Sequence, residues 1–234
     1  MHQNIYRVFT FCMLFTLVLF LAGSSTARAG GKVGIYGIRM VPYGLDAEQY
    51  SRPGWGFGVH GVAPFPKVAN IIAGTVGFEI VNLLNDTENF IDDRTNLRIE
   101  QQTDQNFYRL YVGVQVGGHG NGFFRPHAGI NVALLDYRIV TDVVVPDDYN
   151  REQEIRQKLR EQEKLAFGYD LSMGLDLNFS NTVALDGGVR YLKSFSVPQQ
   201  LGEGSVRIHP EYFQIYISIG ASFDILEGGN DNEE

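Results

Sequence analysis

Side chains alternate between two kinds along eight separate segments of this sequence, and a period of two restricts those segments to half-covered β-strands. The segments lie at about 32–41, 55–63, 71–83, 107–116, 123–137, 165–177, 182–193 and 212–223. The sixth is the cleanest: Leu165, Phe167, Tyr169, Leu171, Met173, Leu175 and Leu177 oppose Gly168, Asp170, Ser172, Gly174 and Asp176. In the fourth, Tyr108, Leu110, Val112, Val114 and Val116 oppose Arg109, Tyr111, Gly113 and Gln115. In the eighth, Phe213, Ile215, Ile217, Ile219 and Phe223 oppose Tyr212, Gln214, Tyr216, Ser218 and Gly220.

The connections take turns. Short links fall at about 64–70, 117–122 and 178–181, and long ones at about 42–54, 84–106, 138–164 and 194–211. Strict alternation of this kind predicts antiparallel neighbours, with the short turns at one end of the sheet and the long loops at the other. An even number of antiparallel strands can close and remove both sheet edges. The 27 glycines in 234 residues exceed the ordinary usage of about 7%, which suits tight turns and strong curvature.

The first 29 residues read as an export signal. Arg7 precedes an apolar run from 8 to 22, and Ala27-Arg28-Ala29 supplies a small-residue cleavage site before Gly30. The apolar run is shorter than the roughly 20 residues that span a bilayer as a helix. Cleavage after Ala29 removes Arg7, Arg28 and the only cysteine, Cys12, so the formal charge moves from −8 to −10. The mature chain is then without thiol or disulfide chemistry, and its acidity disfavours nucleic acid as a partner. Residues 30–223 are the predicted barrel, and 224–234 an acidic periplasmic tail without order.

Two kinds of eight-stranded barrel fit the alternation. A soluble, lipocalin-like barrel keeps its apolar face inside, around an apolar ligand. A membrane barrel turns it out to lipid. The polar face decides between them. It carries Glu79, Arg109, Arg125, His127, Asn131, Asp170, Asp176, Asp186 and Arg190 among Gly and Ser, with both signs present to pair in a narrow interior. Strands of about ten residues suffice to cross a bilayer when tilted. Trp55, Phe123, Phe124, Phe167, Tyr191, Tyr212 and Phe223 sit near strand ends, as interfacial girdles do. The prediction is all-β: an eight-stranded antiparallel up-and-down transmembrane barrel with one short helix in a long loop.

The layout of 30–223, closing on Tyr212-Phe213-Gln214-Ile215-Tyr216-Ile217-Ser218-Ile219-Gly220-Ala221-Ser222-Phe223, resembles the small outer-membrane β-barrel proteins of bacteria, of the OmpA-barrel, OmpX and OmpW type. The last strand is similar to the C-terminal assembly signal of that family, although here eleven residues follow its aromatic. The resemblance implies a monomer in the bacterial outer membrane. Its partners would be membrane lipids, lipopolysaccharide and the assembly machinery, with an extracellular partner at the long loops. It also implies that Glu79, Arg109, Arg125, Asp170, Asp176, Asp186 and Arg190 form a structural charge network, or alternatively a gate.

Other chemistry is thinly supported. Ser205, His209 and Glu211 share the last long loop, but four residues apart in a loop is weak ground for a nucleophile and base. His60 and His127 fall on the polar face, and His119 in a Gly-rich turn without the Lys and helix that cradle phosphate. Asp92-Asp93 and Asp147-Asp148 lack the spacing of a Ca²⁺ loop. No catalytic residue, metal site or cofactor is predicted, and the protein is expected not to be an enzyme. In 151–164 the pairs Glu152–Arg156 and Glu154–Lys158 at i,i+4, with Ile155 and Leu159 on one face, predict a short surface helix. The expected role is structural or in surface contact, with a narrow channel for small solutes and a soluble apolar-ligand binder as alternatives.

Overall fold

The computed structural model describes residues 31–49, 51–65, 71–91, 98–117, 123–145, 155–179, 183–201 and 204–222. The leader, Phe223 and the tail lie outside them. The strands are β1 (Lys32–Tyr43), β2 (Gly54–Pro64), β3 (Ile72–Ile91), β4 (Arg98–Gly117), β5 (Phe124–Val145), β6 (Ile155–Asn178), β7 (Val183–Ser194), β8 (Val197–Leu201), β9 (Gly204–Ile208) and β10 (Glu211–Ser222). Eight of them close into an antiparallel barrel in the order β1-β10-β7-β6-β5-β4-β3-β2, each beside its neighbour in the chain. Closure comes from β1, which pairs with β10 from Lys32↔Ser222 to Tyr43↔Glu211 and with β2 from Lys32↔Val62 to Met40↔Gly54. The hairpin β8–β9 forms a separate two-stranded sheet in the connection from β7 to β10.

Four barrel strands are 11 or 12 residues long. At roughly 3.3 Å per residue and a tilt of roughly 40°, they raise a wall about 30 Å high. The other four are longer, at 20, 20, 22 and 24 residues. β2 accompanies β3 only as far as Asn82, and β7 accompanies β6 only from Gly168. Beyond those points β3–β6 go on pairing with one another, up to Ile91↔Arg98 and Val145↔Ile155. A four-stranded sheet therefore stands above one side of the rim, at the end opposite the short turns. The β3–β4 register shifts between Asn82 and Leu84, where the extension leaves the barrel, as a bulge does when a sheet must bend.

This changes two expectations. Residues 84–91, 98–106, 138–145, 155–164, 197–201 and 204–208 are strand, where long loops were expected. The surface helix expected in 151–164 is absent from its described part: 155–164 continue β6, paired with β5. Isolated i,i+4 pairs contribute only about 0.3–0.5 kcal/mol each. A ladder against the β-branched run Val143-Val144-Val145 outweighs them. The short helix lies elsewhere, as α1 (Leu45–Glu48) in the β1–β2 connection.

The apolar side chains point away from the barrel. Ile35 (65% exposed), Phe57 (65%), Met173 (63%) and Ile217 (64%) stand on the outer wall with Val59, Val112, Ile130, Val132 and Leu171. Aromatic residues gather at both rims. Tyr43 and Tyr191 each meet Phe213 at the upper rim, and Phe123 meets Phe124 and Phe179 at the lower. Tyr212 is the exception among the expected girdle residues. It is buried in the interior, because it shares the phase of Gln214 and Tyr216.

Candidate functional site

The interior has three layers, set by the inward phase of each strand. In the middle layer β4 carries Arg109 and its ladder partner on β3 is Glu79. Both are fully buried, and Arg109 Nη1 donates to Glu79 Oε1 at 2.7 Å. Arg109 Nη2 donates to Asp170 Oδ2 at 2.9 Å, across the barrel from β4 to β6. Asn131 Nδ2 donates to the other Asp170 oxygen at 2.7 Å, and Gln214 Nε2 donates to Glu79 Oε1 at 2.7 Å. Arg190 Nη1 reaches Glu79 Oε2 at 3.3 Å, which also accepts from Tyr36 Oη at 3.0 Å. The layer holds two guanidinium groups and two carboxylates, so its formal charge cancels. That balance matters, because a buried charge left unpaired costs several kcal/mol.

Arg190 is caged by aromatic faces, 4.2 Å from the Tyr216 ring centroid, 5.0 Å from Tyr36 and 5.3 Å from Tyr111. Cation–π contact of this kind strengthens where water is excluded. The rings fit because their neighbours lack side chains. A Cβ on Gly58 would meet Tyr36 Cζ at 2.6 Å, and one on Gly77 would collide with Tyr111.

The lower layer faces the short turns. His127 Nε2 lies 2.9 Å from Asp186 Oδ1, and Lys32 Nζ donates to Asp176 Oδ1 at 2.8 Å. His60 Nε2 lies 3.3 Å from Ser218 Oγ. Between the rings is a cavity of about 20 Å³ bordered by His60, His127, Asp186, Arg190 and Tyr216, room for about one water molecule. Arg125, half-buried, stands opposite Asp176 in the β5–β6 register. Of the seven charged residues singled out in the sequence, four meet in the middle layer and three stand in the lower one.

The upper layer is apolar, and the sequence pattern was read without it. Ile38, Met40, Val81, Leu83, Phe107, Leu135 and Leu192 are buried above the charges, joined by Ala47 of α1, Val197 of β8 and Ile208 of β9. Tyr137 and Tyr212 flank Phe107 at 5.1 and 5.9 Å between ring centroids. Their hydroxyls meet Ser194 at 2.6 Å and Ser51 at 3.2 Å. Parity was the available signal: Phe107 precedes Arg109 by two, and Leu192 follows Arg190 by two.

The remaining candidates do not assemble. His209 is exposed, and its backbone N–H donates to Asp46 Oδ2 at 2.8 Å. Glu211 is engaged by Lys193 Nζ at 2.7 Å and by the Tyr191 hydroxyl. Ser205 lies on β9. Among the described residues no group of three or more His, Cys, Asp or Glu is placed to hold a metal ion. Asp92, Asp93, Asp147, Asp148 and His119 lie outside the described residues.

No family model matches the sequence, and no curated protein matches it. Solved structures do. The crystal structure of Neisserial surface protein A is 11% identical, with a TM-score of 0.52, over 82% of this chain and 97% of that one. The attachment invasion locus protein Ail of Yersinia pestis, in complex with the heparin analogue sucrose octasulfate, is 13% identical over 83% and 97%, with a TM-score of 0.44. The outer-membrane protein OprG of Pseudomonas aeruginosa is 15% identical over 84% and 97%, with a TM-score of 0.43. The fold is that of the small eight-stranded outer-membrane β-barrel proteins.

Proposed function

We propose that this chain is a bacterial outer-membrane barrel with a closed interior, serving envelope structure and surface contact. One observation carries the reading: the wall is apolar outside and charged inside, the inverse of a soluble barrel. Aqueous exposure of Ile35, Phe57, Val112, Val132, Met173 and Ile217 together would leave a patch far above the few hundred Å² that soluble monomers tolerate. A lipid environment removes that cost, and the wall of about 30 Å matches a bilayer core. Outer-membrane lipids and lipopolysaccharide are then its immediate partners, and the four-stranded extension its outward contact element. The soluble apolar-ligand reading loses support, because the apolar face does not line a cavity.

The channel reading loses support as well. The Phe107, Leu135, Leu192 and Tyr212 layer fills the interior directly above the paired charges. Close packing of that kind, among the described residues, opposes a continuous water-filled path. An enzymatic role finds no support in the rim residues, where Glu211 is paired and His209 points to solvent.

Gel mobility of membrane-extracted protein with and without boiling tests the reading. Folded membrane barrels resist SDS until heated, so a heat-dependent shift in protein from the outer-membrane fraction is expected. A soluble periplasmic protein without a shift would overturn it. Planar-bilayer recording separates the channel alternative: current at background is expected from a sample that shows the shift.

A further inference from the structure

The extension has two open edges of opposite charge. On one side, residues 84–91 of β3 pair, among the described residues, only with β4, since β2 ends its pairing at Asn82. On the other, residues 155–166 of β6 pair, among the described residues, only with β5, since β7 begins at Gly168. The β3 edge carries Asp86 and Glu88 and no cation, for a formal charge of −2. The β6 edge carries Arg156, Lys158, Arg160 and Lys164 against Glu161 and Glu163, for +2. Ion pairs along it are partly solvent-exposed, among them Lys158–Glu161 at 3.1 Å, Arg138–Glu163 at 3.3 Å and Arg156–Asp142 at 3.9 Å. Such pairs are weak and exchange readily.

We propose that the two edges pair with each other between copies of this chain, joining neighbouring extensions into one continuous antiparallel sheet. Three features commit the surface to a second copy. Direction is the first. β3 and β6 run oppositely along the barrel axis, so two barrels with the same orientation in a membrane present them antiparallel. Two β3 edges would meet parallel. Charge is the second. Like edges repel, whereas unlike edges attract, which turns a device against edge aggregation into a selector of one contact.

Register is the third. Setting Asp86 opposite Arg160 also sets Leu84 opposite Gln162, and beyond the bulge that the β5–β6 register shift places at Leu159 it brings Glu88 beside Lys158. On the other face the same register sets Asn85 opposite Glu161, with no like charges directly opposed below the bulge. A notch of about 440 Å³ between Arg52, Trp55, Asn82, Leu84 and Asp86 leaves the foot of the β3 edge accessible. The contact is head-to-tail, so it propagates in the membrane plane rather than stopping at a pair. The inference rests on the membrane reading for the shared orientation of the barrels.

Cysteine pairing in intact membranes tests it, with full-length chains carrying two different tags. Residues directly opposite across antiparallel strands lie within disulfide reach. Leu84→Cys in one chain and Gln162→Cys in the other are expected to cross-link on mild oxidation. Each variant alone is expected to remain at the level of the wild type, which bears only Cys12. Adding Asp86→Lys and Glu88→Lys to the first chain is expected to lower the cross-linked fraction about tenfold. Adding Lys158→Glu and Arg160→Glu to the second is expected to restore it. Self-pairing of L84C as efficient as the mixed pairing, or a yield indifferent to charge reversal, overturns the proposal. An intact heat shift with no mixed cross-link overturns the pairing alone. A heat shift missing from every chain, wild type included, overturns the membrane reading and the shared orientation with it.

Discussion

The barrel wall and the sheet that rises from it are the same four strands under two different constraints. Below the rim, β3–β6 have neighbours on both sides, one face against the interior and one covered by apolar side chains. Above it they lose β2 and β7, and the outer strands turn polar and exposed, with Asn85, Asp86, Thr87, Glu88 and Asn89 on β3 and Arg156, Gln157, Lys158 and Arg160 on β6. In the wall each residue's phase is enforced by burial. In the extension the ladder with the adjacent strand holds the chain, and few side chains are indispensable. The lesson is that strand pairing extends as far as hydrogen-bond partners allow, whereas stability concentrates where burial forces the pairing to be unique.

That contrast orders the expected effects of substitution. Arg109→Ala is expected to be the most damaging, since it strands Glu79 and Asp170 in the interior. A loss of about 3–5 kcal/mol follows for breaking one side of a buried network. It is measurable as the urea midpoint of the protein folded into vesicles, and a change below about 1 kcal/mol would mean that the network is solvated. Ile217→Arg on the outer wall comes next. It is expected to cost about 2–4 kcal/mol in lipid and little in a barrel whose outer face is wet, so the same titration distinguishes the two environments.

In the extension, Arg138→Ala removes a half-exposed contact to Glu163 at 3.3 Å. Its expected cost is below about 1 kcal/mol. The smallest effect on the wall is expected from replacing 86–103 and 140–161 with short hairpin turns, after which the heat shift should persist. Its disappearance would show that the extension and the wall fold as one unit, and the comparison would fail.

Most of the barrel was legible because a period of two survives in the sequence wherever one face meets water-free surroundings and the other meets paired charges. The phase of Arg109, Asp170, Asp186 and Arg190 was readable for that reason. The upper apolar layer was harder. At Leu134-Leu135 and at Val81 and Leu83 both faces are apolar or nearly so, and alternation loses contrast. Tyr212 was misplaced at the rim because aromatic residues near strand ends were taken together, and its phase against Phe213 was the better guide. The length of β3–β6 was not legible, since their exposed edge strands share a polar composition with loops, and the burial of Val144 is masked by its Val neighbours on both sides.

The sequence by itself determined the number of barrel strands, their antiparallel order and which residues share the inward face. Those follow from local periodicity and turn chemistry, which act over a few residues. Only the tertiary structure decided that Glu79 serves both Arg109 and Arg190, that His127 meets Asp186 and Lys32 meets Asp176, that Phe107 caps the charges, and that β3 and β6 end as open edges. Each of these depends on which residues closure of the barrel brings face to face across the interior, at sequence separations as large as 144 between Lys32 and Asp176.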